Sequence, residues 1–252
     1  MAQPRDEKTN FDALADTYEG TKVNPLKRHC EEPSFFAAIG DPAGSSVLDL
    51  ACGDGYYTRM LARAGARRVV GVDVSEAMVA RAQATEAEQR LGIEYRVGDV
   101  ARLPALGVFD LVTSAYLFPY ASSEHALLSM CTSAAANLRS GGRLVSVVVS
   151  PDLDAERIAA LAHYGMSLRA ELPLRDGDTM TVTIATPAGP IAMTNHHWTR
   201  PAYERALHAA GFGEVAWPSM IVSAEGLATH SADFWQPFLE HPSLAVLTAV
   251  RS

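Results

Sequence analysis

Apolar and polar positions along the chain follow two alternating periods. Near the start, apolar residues recur at Phe11, Leu14, Ala15 and Tyr18, which predicts a helix over 11–19, and a second helix is expected over 31–39. Short apolar runs then alternate with longer helical patterns. Strands are expected at 46–51, 68–74, 93–97 and 108–113, and a β-branched strand at 143–149 follows Gly141-Gly142. Helices are expected at 56–64, at 76–90 behind a capping Ser75, and over about 122–138. Strands alternating with helices imply crossover connections and a parallel sheet covered on both faces. The uniformly apolar strands agree, since parallel strands are buried on both sides.

The rhythm changes after Pro151. A short helix near 153–163 precedes two strand-like runs. Leu168, Ala170, Leu172 and Leu174 share one face of the first, and Met180, Val182 and Ile184 share one face of the second. Asp176-Gly177 between them is a hairpin signal. Another turn at 187–190 leads to a third run at 191–198. A helix at 199–210 ends at Gly211, and 213–217 and 244–250 complete the main sheet. The expected fold is α/β: a doubly wound, Rossmann-like, seven-stranded, mostly parallel sheet with a small antiparallel β insertion. The chain reads as a single domain, with a helical lid at 1–40 and a ligand-binding core at 41–150. An inserted lid or substrate region follows at 151–198, and 199–252 completes the sheet.

Charge and cysteine usage narrow the partners. The 252 residues carry a net charge of -8, and basic residues cluster only in short pairs such as Lys27-Arg28 and Arg67-Arg68. That balance argues against nucleic acid or an anionic membrane as partner. Cys30, Cys52 and Cys131 are scattered, with no CxxC pair and no zinc-like Cys/His spacing. The opening MAQPRDEKTN has no apolar signal core, and no apolar stretch is long enough to span a bilayer. The expectation is a cytoplasmic protein, monomer or homodimer, with a small-molecule substrate and no metal.

The stretch VLDLACGDGYYTRMLA, 47–62, carries the chemistry: an apolar strand, a glycine turn and a helix. A dinucleotide fingerprint would need G-x-G-x-x-G, but Thr58 stands at the third glycine. A pyrophosphate would also face Asp49 and Asp54. A zwitterionic amino-acid tail reverses that judgement, offering an ammonium to a carboxylate and a carboxylate to backbone N–H groups. Asp73, 18 residues beyond Gly55, can accept both hydroxyls of a ribose. Asp99, after the next strand, can accept from the exocyclic amino group of an adenine. An ammonium, a ribose and an adenine together describe S-adenosylmethionine (SAM).

These residues resemble the class I SAM-dependent methyltransferases. The D-x-G-x-G-x-G loop is similar to Asp49-Leu50-Ala51-Cys52-Gly53-Asp54-Gly55, with Ala51 in place of the first glycine. Asp73 matches the acidic end of the second strand, Gly98-Asp99-Val100 the adenine-contacting motif, and FDLVTS (109–114) the fourth strand. The flanks FDALADTYEG, WTRPAYERALHAAGFGEVAW and FWQPFLEHP look like bacterial small-molecule methyltransferases, above all the azapteridine N-methyltransferases of toxoflavin-type biosynthesis. The resemblance implies SAM as cofactor, held by Tyr18, Asp49, Ala51, Gly53, Gly55, Asp73, Val74, Met78, Asp99, Val100 and Ser114.

The substrate side is read from the end of the fourth strand and from the insertion. In SAYLFPY, 114–120, Tyr116 is placed to face the sulfonium or the acceptor, whereas Phe118 reads as core and Tyr120 as core or substrate wall. Tyr18 either packs or closes over the cofactor. His196, His197 and Trp198 adjoin, and strand alternation puts His196 with Trp198 on the face opposite His197. Candidate catalytic residues are Tyr116 and His196; candidate substrate contacts are Tyr18, Tyr116, Tyr120, His196 and Trp198. His125 is a weaker candidate. Cys52 reads as a small buried residue. The implied reaction is in-line methyl transfer to a flat heterocycle, driven by alignment in a dry cavity. An O- or C-methyltransferase and a SAM-binding protein without transfer are the alternatives.

Overall fold

The computed structural model describes residues 19–252. Tyr18 and, apart from Glu19, the helix expected over 11–19 lie outside the described residues. The fold is built on strands β1 (Ser46–Leu50), β2 (Arg68–Asp73), β3 (Glu94–Val97), β4 (Phe109–Ala115) and β5 (Leu138–Val149). A second sheet follows, made of β6 (Met166–Arg169), β7 (Thr179–Ile184) and β8 (Ile191–His196), and then come β9 (Phe212–Ala216) and β10 (Leu244–Arg251). The main sheet has seven strands in the order β3-β2-β1-β4-β5-β10-β9. Its first five strands pair in parallel, and β10 runs antiparallel to both β5 and β9. The expected α/β architecture and its small antiparallel insertion are both present.

The turn chemistry explains why the helices start where they do. Ser75 Oγ accepts from Met78 N–H at 3.1 Å and opens the helix Glu76–Gln89. Ser123 Oγ accepts from Ala126 N–H at 3.2 Å and opens Glu124–Ala136. Gly211, at φ +92°, follows the last turn of Arg200–Ala209 in the left-handed conformation that a helix end favours. Leu48, Leu50, Val112, Leu144 and Val148 form a core on one face of the sheet, closed by Phe118, Tyr203 and Leu207. A second cluster joins Leu26, Tyr164, Leu168, Trp235 and Phe238, so the chain before β1, the insertion and the chain before β10 share one core.

The structure departs from the sequence reading in three places. The run expected over 168–174 is a strand only at 166–169. Asp176-Gly177 lies within the long connection 170–178, where Asp176 Oδ1 accepts from Thr199 N–H at 2.8 Å, and does not close a two-residue hairpin. Pro173 lacks the N–H that a ladder needs, and Leu172 is exposed. Strand β5 begins five residues early, at Leu138, and pairs with Phe109 across a register shift. Two helices, Ala224–Thr229 and Ala232–Glu240, and a π-helical turn at Lys27–Glu31 stand where no element was expected.

Candidate active site

The C-terminal ends of β1, β2 and β4 open onto a cavity of about 260 Å³. Crevices at strand ends are where open α/β sheets take ligands. Ala51, Gly53, Asp73, Val74, Met78, Asp99 and Val100 form one wall. Leu161, Leu168, Val182, Met193 and Asn195 of the insertion form the opposite one. The 3₁₀ turn at Glu19–Val23 and the segment after it roof the space. Lys22 is ion-paired with Asp54 of the glycine loop, and Asn24 Nδ2 donates to Tyr164 O at 2.9 Å.

The loop is shaped by its own carboxylates. Asp73 Oδ2 accepts from Gly53 N–H at 2.8 Å and Oδ1 from Ser75 N–H at 2.9 Å, so this one carboxylate ties the glycine turn to the next helix. Gly53 (φ +54°) and Ala51 (φ +57°) are both left-handed, an unusual conformation for alanine. Gly55 (φ +82°) is not on the cavity wall. Its left-handed backbone favours glycine, and a Cβ there would also strike the Tyr95 hydroxyl and Arg59 behind the loop.

Asp49 is 2 % exposed and faces away from the cavity. Its Oδ2 accepts from Thr58 Oγ1 at 2.6 Å and its Oδ1 from Thr113 Oγ1 at 2.9 Å. Thr113 is its register partner on β4. Burial raises its pKa to about 6 against the pull of the two hydroxyls, with neighbouring Asp73 adding to the rise. Ser114 is also walled off: its Oγ lies 2.8 Å from Ser146 Oγ in the sheet interior. Asp99 is half-exposed on the cavity rim and caps the short turn Val100–Arg102 through Ala101 N–H at 2.9 Å. Cys52 is buried, which pushes its thiol pKa well up, and it has no activating base.

Tyr116 and Tyr120 line the cavity, and Phe118 is fully buried. Tyr116 holds a left-handed backbone (φ +64°), and its N–H donates to Val147 O at 2.9 Å. Its hydroxyl donates to Glu31 Oε2 at 2.5 Å. The other oxygen of Glu31 accepts hydrogen bonds from Tyr57 Oη at 2.5 Å and from Lys27 Nζ at 2.9 Å. Burial and Glu31 together hold the Tyr57 hydroxyl well above its ordinary pKa.

The histidine and tryptophan candidates fall elsewhere. Ile191, Met193 and Asn195 are the buried face of β8, whereas His196 is half-exposed, with Nδ1 3.1 Å from Gly177 O. Trp198 is buried in the main core and donates from Nε1 to Ala121 O at 3.1 Å. Neither lines the cavity. The strand's parity put His196 and Trp198 together, but the wall belongs to the other parity. His197 is buried, which lowers its pKa, and His125 is exposed.

Sequence reasoning missed Glu31, Lys27, Asn24 and Asn195. Asn195 shares parity with apolar Ile191 and Met193, a polar residue on an inward face that was legible. Its Nδ2 is buried without a hydrogen-bond partner in the protein. Among the described residues no group of His, Cys, Asp or Glu could hold a metal ion, and no helix is long and apolar enough to cross a membrane.

The family model described as a methyltransferase domain matches residues 47–142, the stretch that carries the glycine loop, Asp73 and Asp99. The protein is a SAM-dependent methyltransferase. The methyltransferase is 28% identical over 171 residues to N-demethylindolmycin N-methyltransferase of Streptomyces griseus, covering 67% of this chain and 70% of the relative. It is 31% identical over 139 residues to a ubiquinone biosynthesis O-methyltransferase of Xanthomonas axonopodis, covering 53% and 56%, so it spans little more than half that relative's length. Its fold is similar to that of the CcbJ methyltransferase from Streptomyces caelestis, with a TM-score of 0.66 at 20% identity over 98% of this chain and 100% of the other. It is also similar to the DhpI–SAM–HEP complex, with a TM-score of 0.63 at 19% identity, covering 96% and 94%. The residues present suit SAM: the wall that carries Asp73 and Asp99 is acidic, as a cation that lacks phosphate requires.

Proposed function

We propose that the enzyme methylates a nitrogen of a small, flat heteroaromatic intermediate of natural-product biosynthesis, an azapteridine-like ring. The observation that carries this reading is the continuity of the cavity. The acidic wall at Asp73 and Asp99 passes without a partition into an apolar chamber faced by Leu168, Val182 and Met193, with polar groups that include Asn24, Lys27, Glu31, Tyr116 and Asn195. Such a chamber takes an apolar ring with a few hydrogen-bonding positions. The kinship with an indolmycin N-methyltransferase supports nitrogen as the acceptor atom. The ubiquinone-type relatives favour oxygen as the second reading.

In this proposal Asp73 takes the ribose hydroxyls and Asp99 the adenine amino group, while Val74, Met78 and Val100 flank the base. Ala51 and Gly53 meet the amino-acid tail, and Asp49, Gly55 and Ser114 shape that loop from behind. SAM, when bound, supplies a methyl group that is already activated by its sulfonium. The chain's own residues align the acceptor and exclude water. The segments 1–40 and 151–198 serve as the lid, and Tyr18 belongs to it. The enzyme works in the cytoplasm as a monomer or homodimer, in keeping with three free, buried cysteines.

Calorimetric titration with S-adenosylhomocysteine (SAH), followed by pteridines and pyrimidotriazines, tests the proposal. Tight SAH binding and heat from one heterocycle, with a mass-detected N-methyl product in the presence of SAM, is the expected result. An O-methylated product from a phenolic panel instead would move the enzyme to the second reading. SAH failing to bind the folded protein would overturn the proposal.

A further inference from the structure

We propose that Tyr116 and Glu31 form a proton-accepting pair that selects acceptors carrying an ionisable ring N–H. The inference rests on the methyl-transfer reading of the cavity and goes beyond it by naming what the acceptor must present.

Three independent features of the chain converge on this pair. First, Glu31 is 3 % exposed, yet Tyr57 Oη, Tyr116 Oη and Lys27 Nζ all donate to it. A buried carboxylate is costly unless paired, and this one is fully engaged at the edge of a substrate-sized space. Second, Lys27–Glu31 is a π-helical turn: Glu32 N–H bonds back to Lys27 O, five residues away. Such turns are rare and gather at functional sites. Lys27 and Glu31, at its two ends, both line the cavity. Third, Tyr116 sits in a left-handed conformation just past the end of β4, a strained backbone for a bulky residue. Two hydrogen bonds hold it there, through its backbone to Val147 and through its hydroxyl to Glu31.

A phenol that donates its proton to a carboxylate keeps acceptor lone pairs on the same oxygen. An N–H on the ring can therefore donate to Tyr116 Oη. As the acceptor's proton moves to Tyr116 Oη, the phenol proton moves to Glu31 Oε2. The electron pair left on nitrogen forms the new N–C bond, and the methyl's bond to sulfur breaks, leaving neutral SAH. The sulfonium's positive charge and the Glu31 negative charge vanish together, so no net charge is created in the chamber. Lys27 Nζ lies 2.9 Å from Oε1 as the counter-charge of this carboxylate. Tyr116 is the catalytic residue in this scheme, and Glu31 is a positioning residue acting through it.

The test uses the full chain loaded with SAH and two probes that differ in their N–H groups, lumazine and 1,3-dimethyllumazine. Calorimetry should show the wild type binding lumazine about fivefold tighter, the worth of one hydrogen bond to a neutral hydroxyl. Tyr116→Phe and Glu31→Gln should each remove that preference and leave the affinities for 1,3-dimethyllumazine and for SAH within about twofold. With SAM, turnover of the N–H probe should fall in kcat in both variants. Glu31→Gln alone can unfold the 27–31 turn, so Tyr116→Phe, which keeps the ring, carries the decision. Failure of SAH to bind the folded wild type overturns the methyl-transfer reading itself. Tight SAH binding without a preference for lumazine, or a preference that survives in Tyr116→Phe, overturns the proton-accepting pair.

Discussion

Replacing Asp49 with asparagine should make the protein more stable, and only above a defined pH. Asp49 is fully enclosed, has two threonine hydroxyls as partners and no cation, and its pKa is raised from 3.8 to about 6 by burial. Below pH 3.8 the side chain is protonated both folded and unfolded and costs nothing. Between pH 3.8 and 6 the unfolded chain ionises first, so the stability contributed by the raised pKa is progressively lost. Above pH 6 the loss is complete. The difference of roughly 2 pK units corresponds to about 3 kcal/mol. Asparagine has nearly the same shape and no charge, and its amide can meet both hydroxyls once one of them turns. Asp49→Asn should therefore gain up to about 3 kcal/mol at pH 7, and at about 2–4 °C per kcal/mol for a chain of this size Tm should rise by several degrees. The gain should shrink as pH falls and vanish near pH 4. Thermal unfolding followed by circular dichroism from pH 4 to 8 reads it directly. A Tm difference that is constant with pH, or a less stable variant at pH 7, would refute the assignment of burial as the dominant influence. The same variant should keep SAH affinity within about fivefold, because Asp49 turns its carboxylate away from the cavity.

The cofactor wall should be less forgiving. Asp73→Ala removes two backbone hydrogen bonds to a carboxylate along with the proposed ribose contact, and SAH affinity should fall by about tenfold or more. Unchanged affinity would detach Asp73 from the site. Trp198→Phe should cost about 1–3 kcal/mol of stability through lost volume and the lost bond to Ala121, with no change in KM for the heterocycle. A KM effect at unchanged Tm would return Trp198 to the substrate wall. Asn195→Leu removes a buried donor that has no partner, and it should raise stability by about 1 kcal/mol while weakening heterocycle binding. Loss of stability together with intact binding would show that Asn195 is satisfied within the protein.

The parts of the fold that rest on local periodicity were legible in the chain. The uniformly apolar runs at β1, β2 and β4 became the buried centre of the sheet. Ser75 became a cap, and Asp73 and Asp99 came to the strand ends where a ligand can reach them. What escaped depended on nonlocal partners. Alternation across 191–198 gave the relative facing of His196 and His197 but not which face the cavity would claim. Asp176-Gly177 carried a hairpin signal, yet Asp176 is held by Thr199 and the strand before it had already stopped at Arg169. Glu31 gave no signal of its own, because its meaning comes from Tyr57 and Tyr116, 26 and 85 residues away.

The position of β10 has a consequence for how this enzyme is made. Its strand slots between β5 and β9, and Leu244, its first residue, is part of the cavity wall. A chain still being synthesised can assemble β1 to β5 and its glycine loop, but the sheet waits with an unpaired edge on β5 until residues 244–251 leave the ribosome. Closing that gap joins strands about a hundred residues apart, which is slow relative to local folding. For that interval the nascent protein displays an apolar strand edge and an open, unfinished chamber. Slowed translation over the stretch between β5 and β10 would lengthen its exposure to chaperones and to aggregation.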